Sequence, residues 1–166
     1  MKLKQDQATL LKPDLFDRLV SAASTVLLLI AVVALVKGQD DWAKLPAMVW
    51  LHLGTVAVAL VLTPVMLLRR RGDPMHRMLG RVWIAAMFLT ALVSLNIRSI
   101  NHGQFSAIHL LSIFTMVMAP LAVYRARKGQ IETHRSAVRG MALGGLVIAG
   151  FFTFPFGRQL GIWLFS

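Results

Sequence analysis

Five long apolar stretches constrain the fold of this chain more than any other feature of its sequence. A helix that crosses the hydrocarbon core of a bilayer, about 30 Å thick, needs roughly 20 apolar residues. The stretches of this length lie at residues 16–36, 46–68, 74–98, 105–126 and 132–154. Hydrophobic residues make up 57% of the 166 residues, which is more apolar surface than one small soluble domain can bury. The sequence therefore predicts an integral membrane protein and excludes a soluble globular one.

The length and spacing of these stretches predict one all-α transmembrane domain that covers residues 1–166. We expect five transmembrane helices, with helices 2 to 5 forming an antiparallel four-helix bundle and helix 1 lying peripheral to it. Residues 1–12 are polar and are expected to form a cytoplasmic tail, and residues 157–166 a short tail on the outer side. Asp73 and Pro74 have the pattern of an N-cap and first helical residue, and Gly129 that of a helix stop.

The distribution of charge predicts the orientation of the helices. Lys and Arg number 18 against 7 Asp and Glu. The basic residues form clusters between apolar stretches rather than one polar face, which argues against nucleic acid as a partner. Fourteen of the 18 lie near the N-terminus or around the connections between helices 2 and 3 and between helices 4 and 5. Because short loops rich in Lys and Arg stay in the cytoplasm, we expect a multi-pass protein of the bacterial inner membrane with its N-terminus inside and its C-terminus outside.

One pattern of residue types occurs twice, in the same order, along the middle of the chain. The first copy consists of His52, Pro64, Arg69, Gly72 and His76-Arg77, and the second of His109, Pro120, Arg125, Gly129 and His134-Arg135. The spacings in the two copies differ by single residues, which indicates two related hairpins that both begin on the outer side. The hairpins would place His52 and His109 at one depth, and His76 and His134 roughly 25 Å deeper.

Paired histidines at two depths favour haem as the cofactor. Two neutral imidazoles on facing helices supply both axial ligands of a haem iron, which leaves no open position for oxygen and favours electron transfer. One or two haem b groups, held by His52 with His109 and by His76 with His134, would make the chain a transmembrane oxidoreductase. The candidate partners of the haem propionates are Arg77, Arg81, Arg135 and Arg139, because a guanidinium group matches a carboxylate.

Other functions stay open on the sequence alone. A zinc or copper ion held by imidazoles is the alternative metal site, with His102 of the outer loop as a third ligand. The chain has no cysteine, and no carboxylate lies at the level of either pair. If the histidines only form hydrogen bonds to helix carbonyls and bind no cofactor, the chain would be a small transporter or an assembly or structural component. We expect no buried acid in the spans, which disfavours a transporter of protons or cations.

Residues 76–82 (HRMLGRV), residues 105–112 (FSAIHLLS) and His134-Arg135 resemble segments of a known family. It is a family of uncharacterised bacterial multi-helix membrane proteins, and the resemblance covers residues 45–158 without implying an activity.

The arrangement of the histidines resembles, more loosely, that of the ascorbate-reducible, two-haem transmembrane cytochromes b. In those proteins four core helices carry one histidine each, and the first pairs with the third and the second with the fourth. This resemblance implies the same pairs here, and a donor and acceptor such as a quinone, an ascorbate-like reductant or a ferric chelate. His76 and His134 stand at the very start of their helices, unlike the histidines of those cytochromes, so the outer pair is the stronger haem candidate. The lipid bilayer is the remaining partner we expect, and a homo-oligomer stays open.

A reporter fused after Ser166 tests the orientation. We expect a reporter that is active only outside the cytoplasm to be active there, because the clustered basic residues hold the other side of the bundle inside. The same reporter placed in the connection between helices 2 and 3 is the matched control and is expected to be silent. A cytoplasmic signal after Ser166 would contradict the predicted topology.

Overall fold

The computed structural model describes residues 12–97, 108–155 and 157–166, and all the regular elements in these ranges are helices. They are α1 (Leu15–Lys37), a 3₁₀ helix (Gln39–Lys44), α2 (Ala47–Leu68), α3 (Pro74–Ser94), α4 (Ile108–Arg127), α5 (Ile131–Gly140), a π-helix (Met141–Ile148), α6 (Ala149–Phe151) and α7 (Gln159–Phe165). The predicted all-α class is confirmed.

Among the described residues, four helices, α1 to α4, are long and apolar enough to cross a membrane. The predicted count of five is not confirmed, because the fifth stretch changes from α-helical to π-helical hydrogen bonding at Met141. Its first ten residues, which form α5, carry one acidic and two basic side chains, so its apolar part is confined to the π-helix and α6. Most of the tail expected at residues 157–166 is helical and forms α7.

Helix starts in this chain follow local sequence signals. Asp14 caps α1, and its side chain and that of Asp17 each accept a hydrogen bond from the other's backbone N–H, which makes a capping box. Asp73 caps α3 and Pro74 is its first residue, as the sequence predicts. Pro fits this position because its missing N–H would have no partner there.

The two copies of the repeated pattern turn the chain in the same way. Gly72 follows α2 with a φ of 86°, and Gly129 follows α4 with a φ of 70°. Residues with a Cβ disfavour this left-handed region, so both positions require glycine. Pro64 and Pro120 lie inside α2 and α4. The repeat therefore has a counterpart in backbone geometry, with a helix, a glycine turn and a new helix that carries a histidine in its first turns.

Helices that follow one another in the chain pack side by side, from α1 on α2 through to α4 on α5. The first helix also contacts the π-helix and α7. It therefore closes the ring between α2 and the fifth stretch, and it is more integral to the bundle than the sequence predicts.

The core combines one large aromatic side chain with many small ones. Trp83 of α3 is 2% exposed, and its indole N–H donates to the hydroxyl of Thr63 in α2 over 2.9 Å. Small side chains let the helices approach closely, and those with no exposed surface include Ala59, Ala119, Ala122, Ala137 and Ala142. Many large apolar side chains face outward on the long helices, as expected of helices surrounded by lipid.

The bundle has two chemically different ends. The arginine-rich end contains the start of α1, the turn between α2 and α3, and the turn between α4 and α5. At the opposite end α7 packs on the end of α1, where Lys37 donates to the carbonyl of Leu164 over 2.8 Å. The indole N–H of Trp163 donates to the carboxylate of Asp41 over 3.0 Å. These contacts tie α7 to the end of α1 and to the following 3₁₀ helix.

Two adjacent glycines of the π-helix provide a matched test of its packing on α4. A Cβ at Gly145 would lie 2.4 Å from the hydroxyl oxygen of Thr115, whereas a Cβ at Gly144 would make an ordinary 3.8 Å contact with Leu111. We expect Gly145→Ala to destabilise the protein by about 2 kcal/mol through overpacking. Gly144→Ala is expected to stay within about 0.5 kcal/mol. Unfolding of the detergent-solubilised variants measures both.

Adding Thr115→Ala to Gly145→Ala removes the clashing hydroxyl and should recover most of the lost stability. Equal stability of the two single variants would contradict the close approach at Gly145.

Candidate functional site

Residues of helices α2, α3, α4 and α5 line a cavity of about 340 Å³ at the arginine-rich end, called the basic cavity below. His76 of α3 and His134 of α5 both line it. Apolar side chains such as Trp83 and Val123 form part of the wall, and arginines form another part. The structure thus brings the inner histidine pair together at one cavity.

The ring of His134 is held in one orientation by the bundle. Its Nδ1 lies 2.9 Å from the backbone carbonyl oxygen of Ala122 in α4. Because a carbonyl oxygen only accepts, Nδ1 carries the hydrogen, and Nε2 of the neutral ring carries the lone pair. Histidines that bind metals commonly donate their other ring N–H to a carbonyl in this way, which fixes the tautomer.

His76 is positioned by the cap of its own helix. It is the third residue of α3, and its backbone N–H donates to the side chain of Asp73. Its Nδ1 is buried and has no hydrogen-bond partner among the residues that the structure describes. His76 and His134 are near enough for a charge on one ring to act on the other. The cap and the glycine turn before it therefore bring His76 to the cavity wall.

The four arginines proposed as anion partners divide into two pairs. Arg77 and Arg81 lie one turn apart on α3 and line the basic cavity. Within the described ranges neither forms an ion pair with an acid. Arg135 and Arg139 also line the cavity, but both are bonded to carboxylates of α1. Arg77 and Arg81 are therefore the better candidates for binding an external anion.

A cluster that we call the carboxylate clasp joins α1 to the rest of the arginine-rich end. Its members are Asp14, Asp17, Arg71, Arg135 and Arg139. Asp17 is 0% exposed and accepts hydrogen bonds from all three arginines, over 3.0 Å from Arg135 and 2.9 Å from Arg139. The guanidinium of Arg71 also donates to the carbonyl of Lys12. The clasp thus connects the start of α1, the turn after α2 and the first turns of α5.

Asp14 is the more exposed acid of the clasp. Its pKa lies below the usual value, mainly because the side chain of Arg139 donates a hydrogen bond to it. A carboxyl with a lowered pKa in the folded state contributes stability above its unfolded pKa, and the contribution is lost as the pH falls through the lowered value. Near neutral pH the contribution of Asp14 is therefore complete.

The expectation of no buried acid in the spans is wrong at Asp17. The carboxylate is tolerated inside α1 because three guanidinium groups and the backbone N–H of Asp14 donate hydrogen bonds to it. Two aspartates three residues apart before an apolar run are a sequence signal for a helix cap, and this signal marks Asp14 and Asp17. Their arginine partners lie 54 to 125 residues away in the chain, so spacing alone gives no sign of the clasp.

The other histidine pair has a different environment. A cavity of about 170 Å³, called the apolar cavity below, is lined by residues of α1, α2, α3, α4 and the π-helix, and His52 is one of them. His109 is buried, with 2% of its surface exposed, but it is not part of that lining. Both histidines of the inner pair, which the sequence ranked second, therefore line one cavity, whereas His52 lines the apolar cavity without His109.

The metal-ion alternative has no ligand cluster in the part of the chain that the structure covers. Within residues 12–97, 108–155 and 157–166, no three His, Asp or Glu side chains converge as they would around a metal ion. His102, the third ligand considered for such a site, lies outside the described residues.

Comparison with known proteins identifies the family. Residues 49–141 match the family model described as a predicted membrane protein, DUF2306. This match covers more than half of the chain and includes His52, His76, His109 and His134. The chain therefore belongs to this family of membrane proteins. No curated protein and no solved structure matches the chain.

Removing one carboxylate tests the clasp. We expect Asp17→Asn to destabilise the protein by roughly 3 kcal/mol, because it leaves buried guanidinium groups without their counter-charge. Asp40→Asn is the matched control, since Asp40 is an exposed residue of the 3₁₀ helix, and it is expected to change stability by less than about 0.5 kcal/mol. Thermal unfolding in detergent measures both variants, and an equal effect would contradict a structural role for the clasp.

Proposed function

We propose that this membrane protein binds haem b in the basic cavity, between His76 and His134, and transfers electrons at the arginine-rich face of the membrane. The observation that carries the proposal is the presence of both histidines, from separate helices, at one cavity. The hydrogen bond from Nδ1 of His134 to Ala122 supports it, because it leaves Nε2 with the lone pair that a ligand needs.

The donor set of the cavity fits this group. A porphyrin supplies four equatorial nitrogens to its iron, so two imidazoles are sufficient protein ligands and no third His, Asp or Glu is required. Haem with two histidine ligands supplies one-electron transfer without an open position for oxygen. The apolar part of the wall, which includes Trp83 and Val123, suits a flat macrocycle.

The chain's own residues would orient and charge-balance the group. The carbonyl of Ala122 holds the ring of His134, and the cap of α3 holds His76 in place. Arg77 and Arg81 place positive charge on the cavity wall, where carboxylates such as propionates would bind. The clasp holds α5 against α1 and thereby fixes the wall that carries His134.

The positive-inside bias supports the orientation that belongs to this proposal. The basic cavity lies at the end where most of the Lys and Arg residues cluster, so we infer that it faces the cytoplasm of a bacterium. A second haem between His52 and His109 would extend electron transfer across the bilayer. It has less support, because only His52 lines the apolar cavity.

Absorption spectra of protein purified from haem-replete cells test the proposal. We expect a six-coordinate, low-spin spectrum that is lost in His76→Ala and in His134→Ala, because each variant removes an axial ligand. His52→Ala and His109→Ala are the matched controls. If the chain binds one haem, we expect both control variants to keep the spectrum. If it binds a second haem between His52 and His109, each control variant would lose one haem per chain.

Unfolding curves separate loss of haem from loss of fold in each variant. Colourless protein from such cells, or a spectrum that is unchanged in both His76→Ala and His134→Ala, would overturn the assignment to the basic cavity.

A further inference from the structure

Two residues in the wall of the apolar cavity carry buried polar atoms that lack a partner. Nδ1 of His52 and the hydroxyl oxygen of Thr90 are buried, and neither has a hydrogen bond within the described part of the chain. Both residues line the cavity, His52 from α2 and Thr90 from α3. Buried polar atoms without a partner are rare and costly, so each one requires an explanation.

The chemistry of His52 at this wall follows from its other ring nitrogen. The ring lies near the backbone carbonyl of Thr90. A carbonyl only accepts, and Nδ1 has no partner among the described residues, so the tautomer with its hydrogen on Nε2 is favoured. In that tautomer Nδ1 presents a lone pair that can accept a hydrogen bond.

Thr90 behaves differently from other threonines in these helices. The hydroxyls of Thr25 and Thr63 donate to carbonyls four residues earlier, over 3.0 Å and 2.7 Å. Such bonds are the usual way in which a helix satisfies a buried threonine. The hydroxyl of Thr90 makes no such bond, so it stays available to donate to a ligand oxygen beside His52.

The rest of the cavity suits an apolar ring. Much of its wall consists of aliphatic and thioether side chains, including Leu53, Leu60 and Met87. Its volume of about 170 Å³ is comparable to that of an engineered apolar cavity of about 150 Å³ that binds benzene. A single six-membered ring therefore fits, and a hydroxyl group on that ring is the kind of group that these unpartnered atoms can bind.

We propose that the apolar cavity binds the ring of a phenol or quinol, whose hydroxyl donates to Nδ1 of His52 and accepts from the hydroxyl of Thr90. The site goes beyond the proposed haem site, shares neither of its histidines and does not depend on it. Simple phenols and the head groups of membrane quinols share this chemistry.

Titration calorimetry of the purified, detergent-solubilised full chain with 4-propylphenol tests the site. Propylbenzene is the matched probe without the hydroxyl. We expect saturable binding of one propylphenol per chain. Thr90→Val keeps the shape and the backbone carbonyl but removes the hydroxyl, so we expect roughly tenfold weaker binding of propylphenol. The weaker binding of propylbenzene should not change.

Four further variants complete the test. Thr90→Ser keeps the hydroxyl and should retain the affinity within about threefold, whereas His52→Leu should lose roughly tenfold. Thr55→Val is the control, because its hydroxyl bonds to the backbone of α2 and does not line the cavity. Ala57→Leu, on the cavity wall, should abolish binding of both probes by filling the space.

Some results would overturn the proposal. These are equal affinity for the two probes, an effect of Thr55→Val as large as that of Thr90→Val, or loss of one bound haem per chain in His52→Leu. The last result would show that His52 is an axial ligand instead. Failure of the haem proposal would leave propylphenol binding intact, so the two proposals fail separately.

Discussion

The buried carboxylate of Asp17 is the interaction on which the arrangement of the helices depends. It accepts hydrogen bonds from three arginines that belong to the turn after α2 and to α5. A single buried charge would be too costly in this position, and three cations crowded together would repel one another. The carboxylate and the three guanidinium groups therefore compensate each other's charge. Because α1 carries the acid, it is fixed between α2 and the fifth stretch, and its leucines become part of the apolar cavity wall.

The two cavities show how one repeated pattern produces two chemical environments. In the basic cavity, the histidines stand at helix starts beside the turns that follow Gly72 and Gly129, where arginines gather. In the apolar cavity, His52 lies inside α2 among aliphatic side chains, and its ring lies near the backbone of Thr90. The two hairpins therefore have similar backbones, and the helices packed against each hairpin determine which side chains surround its histidines.

Much of the fold follows from local sequence, and the site follows only in part. Span lengths predicted α1 to α4, and the cap at Asp73 and the turn at Gly129 were predicted from single residues and confirmed. The repeat predicts that His76 and His134 share one depth, and both line the basic cavity. The sequence does not predict the clasp, because its acidic and basic members are far apart in the chain. A hydropathy profile shows Asp17 only as a polar residue at the start of an apolar stretch and gives no sign that it is buried. The π-helix was not predicted for another reason. A hydropathy pattern does not show to which backbone carbonyl each N–H donates its hydrogen bond.

The acid of the clasp is synthesised before its arginine partners. Asp17 leaves the ribosome before its partners. Arg71 follows Asp17 by 54 residues and Arg139 follows Asp17 by 122. During translation α1 therefore enters the membrane with an acid whose counter-charges do not yet exist, and the first partner arrives only with the turn after α2. The ring of helices closes when α5 emerges and supplies the remaining two guanidinium groups. A nascent chain truncated before Arg135 therefore has only Arg71 of the three guanidinium groups that bind Asp17.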